Sequence, residues 1–166
     1  MGNNFALISA YLIKQSYFKL SNDRFVDFFA HQNEKPKEFN QNEFIELRTI
    51  GFGSIFAISL MFDIEQERIF AIKKPNIIDF EIPKLTKREK KNYESMNHPL
   101  LPKYYGIIKE NDYLVIEFIN GQTLKNIDEI KFNDKFTFIY EIMLIIQYFH
   151  ENKQILRDLK PDNIMI

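Results

Sequence analysis

The feature that most constrains this chain is a long apolar helical pattern that runs into a charged, proline-containing loop and then into a β-prone end. Residues 133–152 carry Phe136, Ile139, Ile142, Met143 and Ile146 at helical spacing, with Asn133 or Asp134 placed to cap the first turn. Such a helix should bury these side chains against neighbouring elements, and without those neighbours some of them would be exposed. The loop that follows reads Ile155-Leu156-Arg157-Asp158-Leu159-Lys160-Pro161-Asp162-Asn163. Ile164-Met165-Ile166 then begins a strand.

Upstream, the texture from Glu43 onward is that of a small antiparallel meander. Residues 44–50 are strand-like, Gly51-Phe52-Gly53 is a turn, and residues 55–62 are apolar and β-prone. Residues 63–67 are a polar connection, and Arg68-Ile69-Phe70-Ala71-Ile72-Lys73 is a third strand. Residues 83–96 are charged and helical, with Pro83 near the start, where a missing N–H costs least. Residues 104–108 and 113–119 give two more strands, joined by Lys109-Glu110-Asn111-Asp112. Five strands with one inserted helix, then further helices, is an α+β pattern.

Three places in this stretch have side chains or backbone suited to chemistry, each with an ordinary alternative. Gly51, Gly53 and Ser54 lie between two strands, where glycines let backbone N–H groups approach phosphates; a plain hairpin turn has the same composition. Lys73 ends an apolar strand, and alternation puts it on one face with Ala71. A solvated strand-end lysine would look the same, and Lys74 competes for the role. Glu89 sits in a helix so charged that a surface position is the default.

The N-terminal part reads differently. Residues 1–30 are helical in pattern, with a break near Ser21-Asn22-Asp23, and residues 31–42 are polar, contain Pro36 and read as a linker. The apolar run at residues 5–13 is too short to span a bilayer and lacks the preceding positive charge of a secretory signal. Met1-Gly2 is followed by Ala6 where a myristoylation motif needs Ser or Thr. An amphipathic helix packed on the domain or a partner is the expectation here. With 22 basic and 23 acidic side chains the net charge is −1, so there is no polycationic signature for nucleic acid. The absence of Cys excludes disulfides, thiolate-ligated zinc and Cys nucleophiles, and fits a reducing, intracellular and cytoplasmic setting.

Taken in order, these segments resemble the eukaryotic-type Ser/Thr protein kinase domain from about Phe44 to Ile166. The Arg157-Asp158-Leu159-Lys160-Pro161-Asp162-Asn163 run closely resembles the kinase catalytic loop. Gly51-Phe52-Gly53 resembles the Gly-rich loop, Phe70-Ala71-Ile72-Lys73 the strand with the phosphate-binding Lys, and Glu89 with His98-Pro99 the regulatory helix and the turn after it. The resemblance implies a kinase-like fold: a five-stranded antiparallel N-lobe sheet with a regulatory helix at about 43–118, and the first helices of a C-lobe at 119–166, after an extension and linker at 1–42.

It also implies roles. Asp158 would accept the proton of a substrate hydroxyl, Lys160 would neutralise the transferred phosphoryl group and Asn163 would bind Mg²⁺. Gly51, Gly53, Ser54 and Lys73 would hold ATP phosphates, and Glu89 would orient Lys73. Ile58, Ala71 and Met165 would sandwich the adenine, backbone groups of Glu117 and Ile119 would meet its edge, and Ile116 would be the gatekeeper. Lys160-Pro161 resembles Ser/Thr rather than tyrosine kinases, so the implied acceptor is a Ser or Thr hydroxyl on a protein.

The sequence departs from the family pattern at Leu156, which replaces the usual His, and at Phe56, which takes the third glycine position. The Asp-Phe-Gly motif, activation segment and later helices of a kinase are not among the 166 residues. Two expectations follow: a piece of an active Ser/Thr kinase, or a non-catalytic, pseudokinase-like nucleotide-binding or interaction module that meets a protein partner through exposed apolar faces.

Overall fold

The computed structural model describes residues 10–11, 34–130 and 132–166, with only the helical backbone at Phe132 and Asn133. The strands, in chain order, are β1 (Ala10–Tyr11), β2 (Lys37–Phe39), β3 (Phe44–Phe52), β4 (Phe56–Asp63), β5 (Arg68–Pro75), β6 (Tyr104–Ile108), β7 (Tyr113–Glu117) and β8 (Ile164–Met165); the helices are α1 (Ile82–Glu94) and α2 (Phe132–Glu151). The chain divides into two compact units. One comprises Glu34–Ser95 and Lys103–Phe118; the other comprises Met96–Pro102 and Ile119–Ile166, together with Met1–Asn33.

The first unit is a six-stranded sheet in the order β2-β6-β7-β5-β4-β3. The five anticipated antiparallel strands all form, and a sixth joins them. Lys37–Phe39, in the stretch that reads as a polar linker, pairs parallel to β6. The reason is one side chain. Phe39 is 0% exposed and packs with Phe44, Met61, Phe70, Ile72, Ile108 and Val115 in the core on one face of the sheet. Burying one such ring contributes about 1.5–3 kcal/mol, enough to hold a short charged strand in register. Its ring meets Phe44 at 5.4 Å and Phe70 at 5.9 Å. The Arg68 guanidinium lies over Phe70 and Tyr105 at 5.3 and 4.7 Å from their centroids.

Gly106 makes the added strand sterically feasible. Its φ is +140°, and a Cβ there would lie 1.8 Å from the carbonyl oxygen of Lys37. The turn between β4 and β5 is closed by Asp63, whose Oδ1 accepts the N–H groups of Glu65 and Gln66, each at 2.9 Å. Helix α1 begins with Pro83 in its first turn, as anticipated, but stops at Glu94. Its buried residues Thr86, Glu89 and Tyr93 form one stripe, and Tyr93 stacks on Tyr104 at 5.7 Å.

In the second unit α2 runs one residue ahead of the anticipated span, and its buried side differs from the expected one. Ile145 and Phe149 are buried together with Glu141, whereas Phe136, Ile139 and Met143 are more than half exposed. After the helix, Lys153 turns the chain with φ 56°. Pro161–Asn163 forms a 3-10 turn and leads into β8. Gln122 and Ile166 exchange backbone hydrogen bonds at 3.1 and 2.9 Å, which ties residues near Gly121 to β8. Of the N-terminal stretch that reads as helical, Ala10–Tyr11 is extended and pairs parallel with Ile164–Met165; the remainder lies outside the described residues.

Candidate active site

In the sheet unit, strand register brings the anticipated nucleotide-side residues to one face. Ile58 pairs with both Gly51 and Lys73, and Ala71 pairs with Leu60 and Ile116. Residues paired directly across strands share a face, so Gly51, Ile58, Ala71, Lys73 and Ile116 lie on the face opposite the Phe39 core. The same register separates Lys73 from Lys74. Lys74 points to the other face, where its ammonium meets Glu46 at 2.7 and 2.9 Å. Glu46 also accepts from the fully buried Ser59 at 2.7 Å, and these donors, Lys74 first, hold its carboxyl below the usual range.

Lys73 is 2% exposed, and its Nζ lies 2.9 Å from Glu89 Oε1. Burial pushes the Lys73 ammonium toward deprotonation, and the charge and hydrogen bond of Glu89 oppose that shift. Glu89 is itself buried, and its Oε2 has no hydrogen-bond partner among the described residues. A second neighbour was not anticipated from the sequence: the Phe56 ring sits 4.7 Å from Lys73 Nζ.

The glycine turn between β3 and β4 is tied down. The Gly53 N–H donates to the Phe56 carbonyl at 2.8 Å, and the Asn76 side chain donates to the Gly53 carbonyl at 2.7 Å. A Cβ on Gly53 would stand 3.0 Å from that Phe56 oxygen, tighter than ordinary contact. Ser54 follows in the same exposed turn. At the far end of β7 the Glu117 N–H donates to the Lys103 carbonyl at 2.8 Å, so this backbone donor is already engaged.

In the other unit the loop after α2 folds back on itself. Asn163 Nδ2 donates to the Asp158 carbonyl at 2.9 Å and to Asp158 Oδ2 at 3.0 Å; Lys160 Nζ lies 3.0 Å from the same Oδ2. Two side chains, Lys160 and Asn163, therefore converge on one carboxylate oxygen of Asp158, and Oδ1 takes part in neither contact. Asn163 is oriented through its amide nitrogen. The 3-10 turn sets the geometry through the Asn163 N–H, which donates to the Lys160 carbonyl at 2.9 Å. Asp162 points elsewhere and pairs with Lys125 at 2.7 Å, a hydrogen bond that lowers its carboxyl from the ordinary value. Met165 forms an isolated bridge with Thr123, and the buried Ile119 accepts the Gly121 N–H through its carbonyl at 3.0 Å.

Among the described residues no group of three His, Cys, Asp or Glu side chains could hold a metal ion. Asn163 offers one carbonyl oxygen, so a hard cation such as Mg²⁺ held there would take most of its oxygens from phosphate and water. No described helix is long and apolar enough to cross a membrane.

Comparison with known proteins bears on the same stretch. The protein kinase domain family matches residues 44–166. An Aurora kinase of Saccharomyces cerevisiae is 31% identical over 148 residues, which cover 82% of this chain and 40% of the relative. The probable serine/threonine-protein kinase PLK of Dictyostelium discoideum is 28% identical over 81% of this chain and 14% of its own length. The serine/threonine-protein kinase PrkC of Bacillus subtilis is 31% identical over 72% of this chain and 20% of its own length. The chain thus spans well under half the length of these relatives. With the family match running from the first long strand to the last residue, the chain belongs to the protein kinase domain family, and its named relatives are Ser/Thr kinases.

Proposed function

We propose that this chain carries the nucleotide-holding and phosphoryl-transfer residues of an ATP-dependent Ser/Thr protein kinase. The observation that carries the reading is the Lys73–Glu89 pair at 2.9 Å, buried on the sheet face that also holds Gly51, Ile58 and Ala71. A buried ion pair is a poor device for stability, because desolvation offsets most of its attraction. Its placement beside a glycine turn makes sense when the ammonium is held for phosphates. Gly51 and Ser54 would give backbone N–H groups to those phosphates, Gly53, whose own N–H is taken by the Phe56 carbonyl, would let them approach closely, and Glu89 holds the Lys73 ammonium.

Bound Mg²⁺–ATP would supply the γ-phosphoryl group and the charge neutralisation that accompanies its transfer. Asn163 would hold the metal through its carbonyl oxygen. Asp158 would orient a protein Ser or Thr hydroxyl and take its proton, and Lys160 would offset negative charge at the transferred group. Ile58, Ala71 and Met165, with backbone groups of Glu117 and Ile119, are the adenine contacts of this reading. An intracellular, cytoplasmic setting goes with it.

The test is titration calorimetry of Mg²⁺–ATP into residues 1–166, with Lys73→Met and Asn163→Ala variants checked by circular dichroism. Binding that is lost in folded Lys73→Met and loses its Mg²⁺ dependence in Asn163→Ala is the expected result. Binding indifferent to both variants would sink the assignment. A second reading, an interaction module without catalysis, is favoured by the exposed Phe136, Ile139, Tyr140 and Met143 on α2, spaced as one helical stripe. Concentration-dependent sedimentation that Met143→Lys abolishes, in a sample that binds no nucleotide, would favour that reading instead.

A further inference from the structure

We infer that Phe56 is a gate over Lys73: its ring occupies the approach a phosphate oxygen needs and must rotate away before a nucleotide can engage the ammonium. The inference rests on the nucleotide reading of Lys73 and concerns a position where this chain departs from the family pattern. Phe56 pairs with Pro75, two residues beyond Lys73, so its side chain stands diagonal to Lys73 on the same sheet face. The ring centroid is 4.7 Å from Nζ, a cation–π distance. Glu89 takes another side of the same ammonium at 2.9 Å. With those neighbours Lys73 is 2% exposed, and a phosphate oxygen cannot come within hydrogen-bonding distance unless a covering group moves.

Phe56 is the group suited to move. Glu89 is buried on α1, and displacing it would strand a charge. Phe56 is half-buried, and its backbone is fixed by the bond from the Gly53 N–H, itself latched by Asn76. The opening is therefore a side-chain rotation within a held turn. A glycine at this position would leave the ammonium uncovered. The ring thus favours the nucleotide-free arrangement and weakens polyphosphate binding by roughly tenfold, a value within the range of one cation–π contact.

The test needs a readout that does not depend on nucleotide. Residues 1–166 are treated with limiting N-hydroxysuccinimidyl acetate, and acetylation of Lys73 is read by peptide mass spectrometry against Lys74 as internal reference. Wild type is compared with Phe56→Gly, Phe56→Val and Phe56→Tyr. Val keeps strand-forming backbone preferences but is too short to cover Nζ, so it guards against a glycine-specific loosening of the turn. The expected result is a several-fold rise of the Lys73 to Lys74 ratio in the Gly and Val variants and no rise in Tyr. Mg²⁺–ATP binding should tighten about tenfold in the same two variants. An unchanged ratio overturns the gate. A raised ratio with unchanged ATP affinity shows that the ring covers Lys73 without regulating phosphate access, which also overturns it. A raised ratio with no nucleotide binding by any variant overturns the kinase-site reading, and the phosphate role of the gate with it.

Discussion

Replacing Lys73 by Met removes one half of a pair whose side chains are 2% and 6% exposed. What remains is the Glu89 carboxylate, buried, with Oε2 already unpartnered and Oε1 now without its donor. Removing one partner of a buried ion pair costs about 3–5 kcal/mol, most of it the stranded charge. Glu89→Leu should cost a similar amount by stranding the ammonium. The double replacement Lys73→Met with Glu89→Leu removes both charges and fills the site with apolar volume, so it should return to within about 1 kcal/mol of wild type or exceed it. Urea unfolding followed by tyrosine fluorescence, in a chain with 8 Tyr and no Trp, reads all four corners of this cycle. Two single variants that each cost under about 1 kcal/mol, with additive effects in the double, would refute the reasoning.

Three further outcomes are expected. Burial raises the Glu141 carboxyl to about 7, so the native state holds a proton that the unfolded chain releases between roughly pH 4.5 and 7. Stability of the helical unit should therefore fall across that window by at most about 3 kcal/mol, and Glu141→Gln should flatten the slope in urea titrations at pH 5 and 8. Gly106→Ala should cost about 2–4 kcal/mol or release β2, read as lost amide-exchange protection at residues 37–39, because its Cβ would meet the Lys37 carbonyl at 1.8 Å. Tyr104→Phe should be neutral or stabilising by about 1 kcal/mol in thermal unfolding, since the buried Tyr104 hydroxyl has no partner among the described residues.

What was legible in the sequence followed local period. Alternation along Phe70-Ala71-Ile72-Lys73 put Ala71 and Lys73 on one face, and the structure keeps them there while sending Lys74 to Glu46. The spacing of Asp158, Lys160 and Asn163 needed only a tight turn at Pro161 to become a cluster. Three features were hidden for physical reasons. Phe39 is a single apolar residue among charges, so no periodicity marks β2; its burial depends on a pocket made by strands distant in sequence. Helix α2 is apolar on nearly every side from Ile139 to Phe149, so spacing alone does not say that Ile145 rather than Met143 turns inward. The position of the Phe56 ring over Lys73 depends on a cross-strand diagonal, and cross-strand register is not written in either strand alone.

Without β2, strand β6 would be the bare rim of the sheet, with a row of unpaired backbone groups beside apolar residues such as Ile107 and Ile108. Rims of that kind recruit strands from other molecules. The three residues Lys37, Glu38 and Phe39 occupy the rim and replace it with one that is short and carries two charges. The opposite rim, β3, exposes Ile45, Leu47, Ile50 and Phe52, but two irregularities in its register blunt it as a template for another strand. Shortening the protein to begin at Phe44 would thus trade a guarded sheet for one prone to self-association, with solubility falling as concentration rises even where the rest of the sheet folds unchanged.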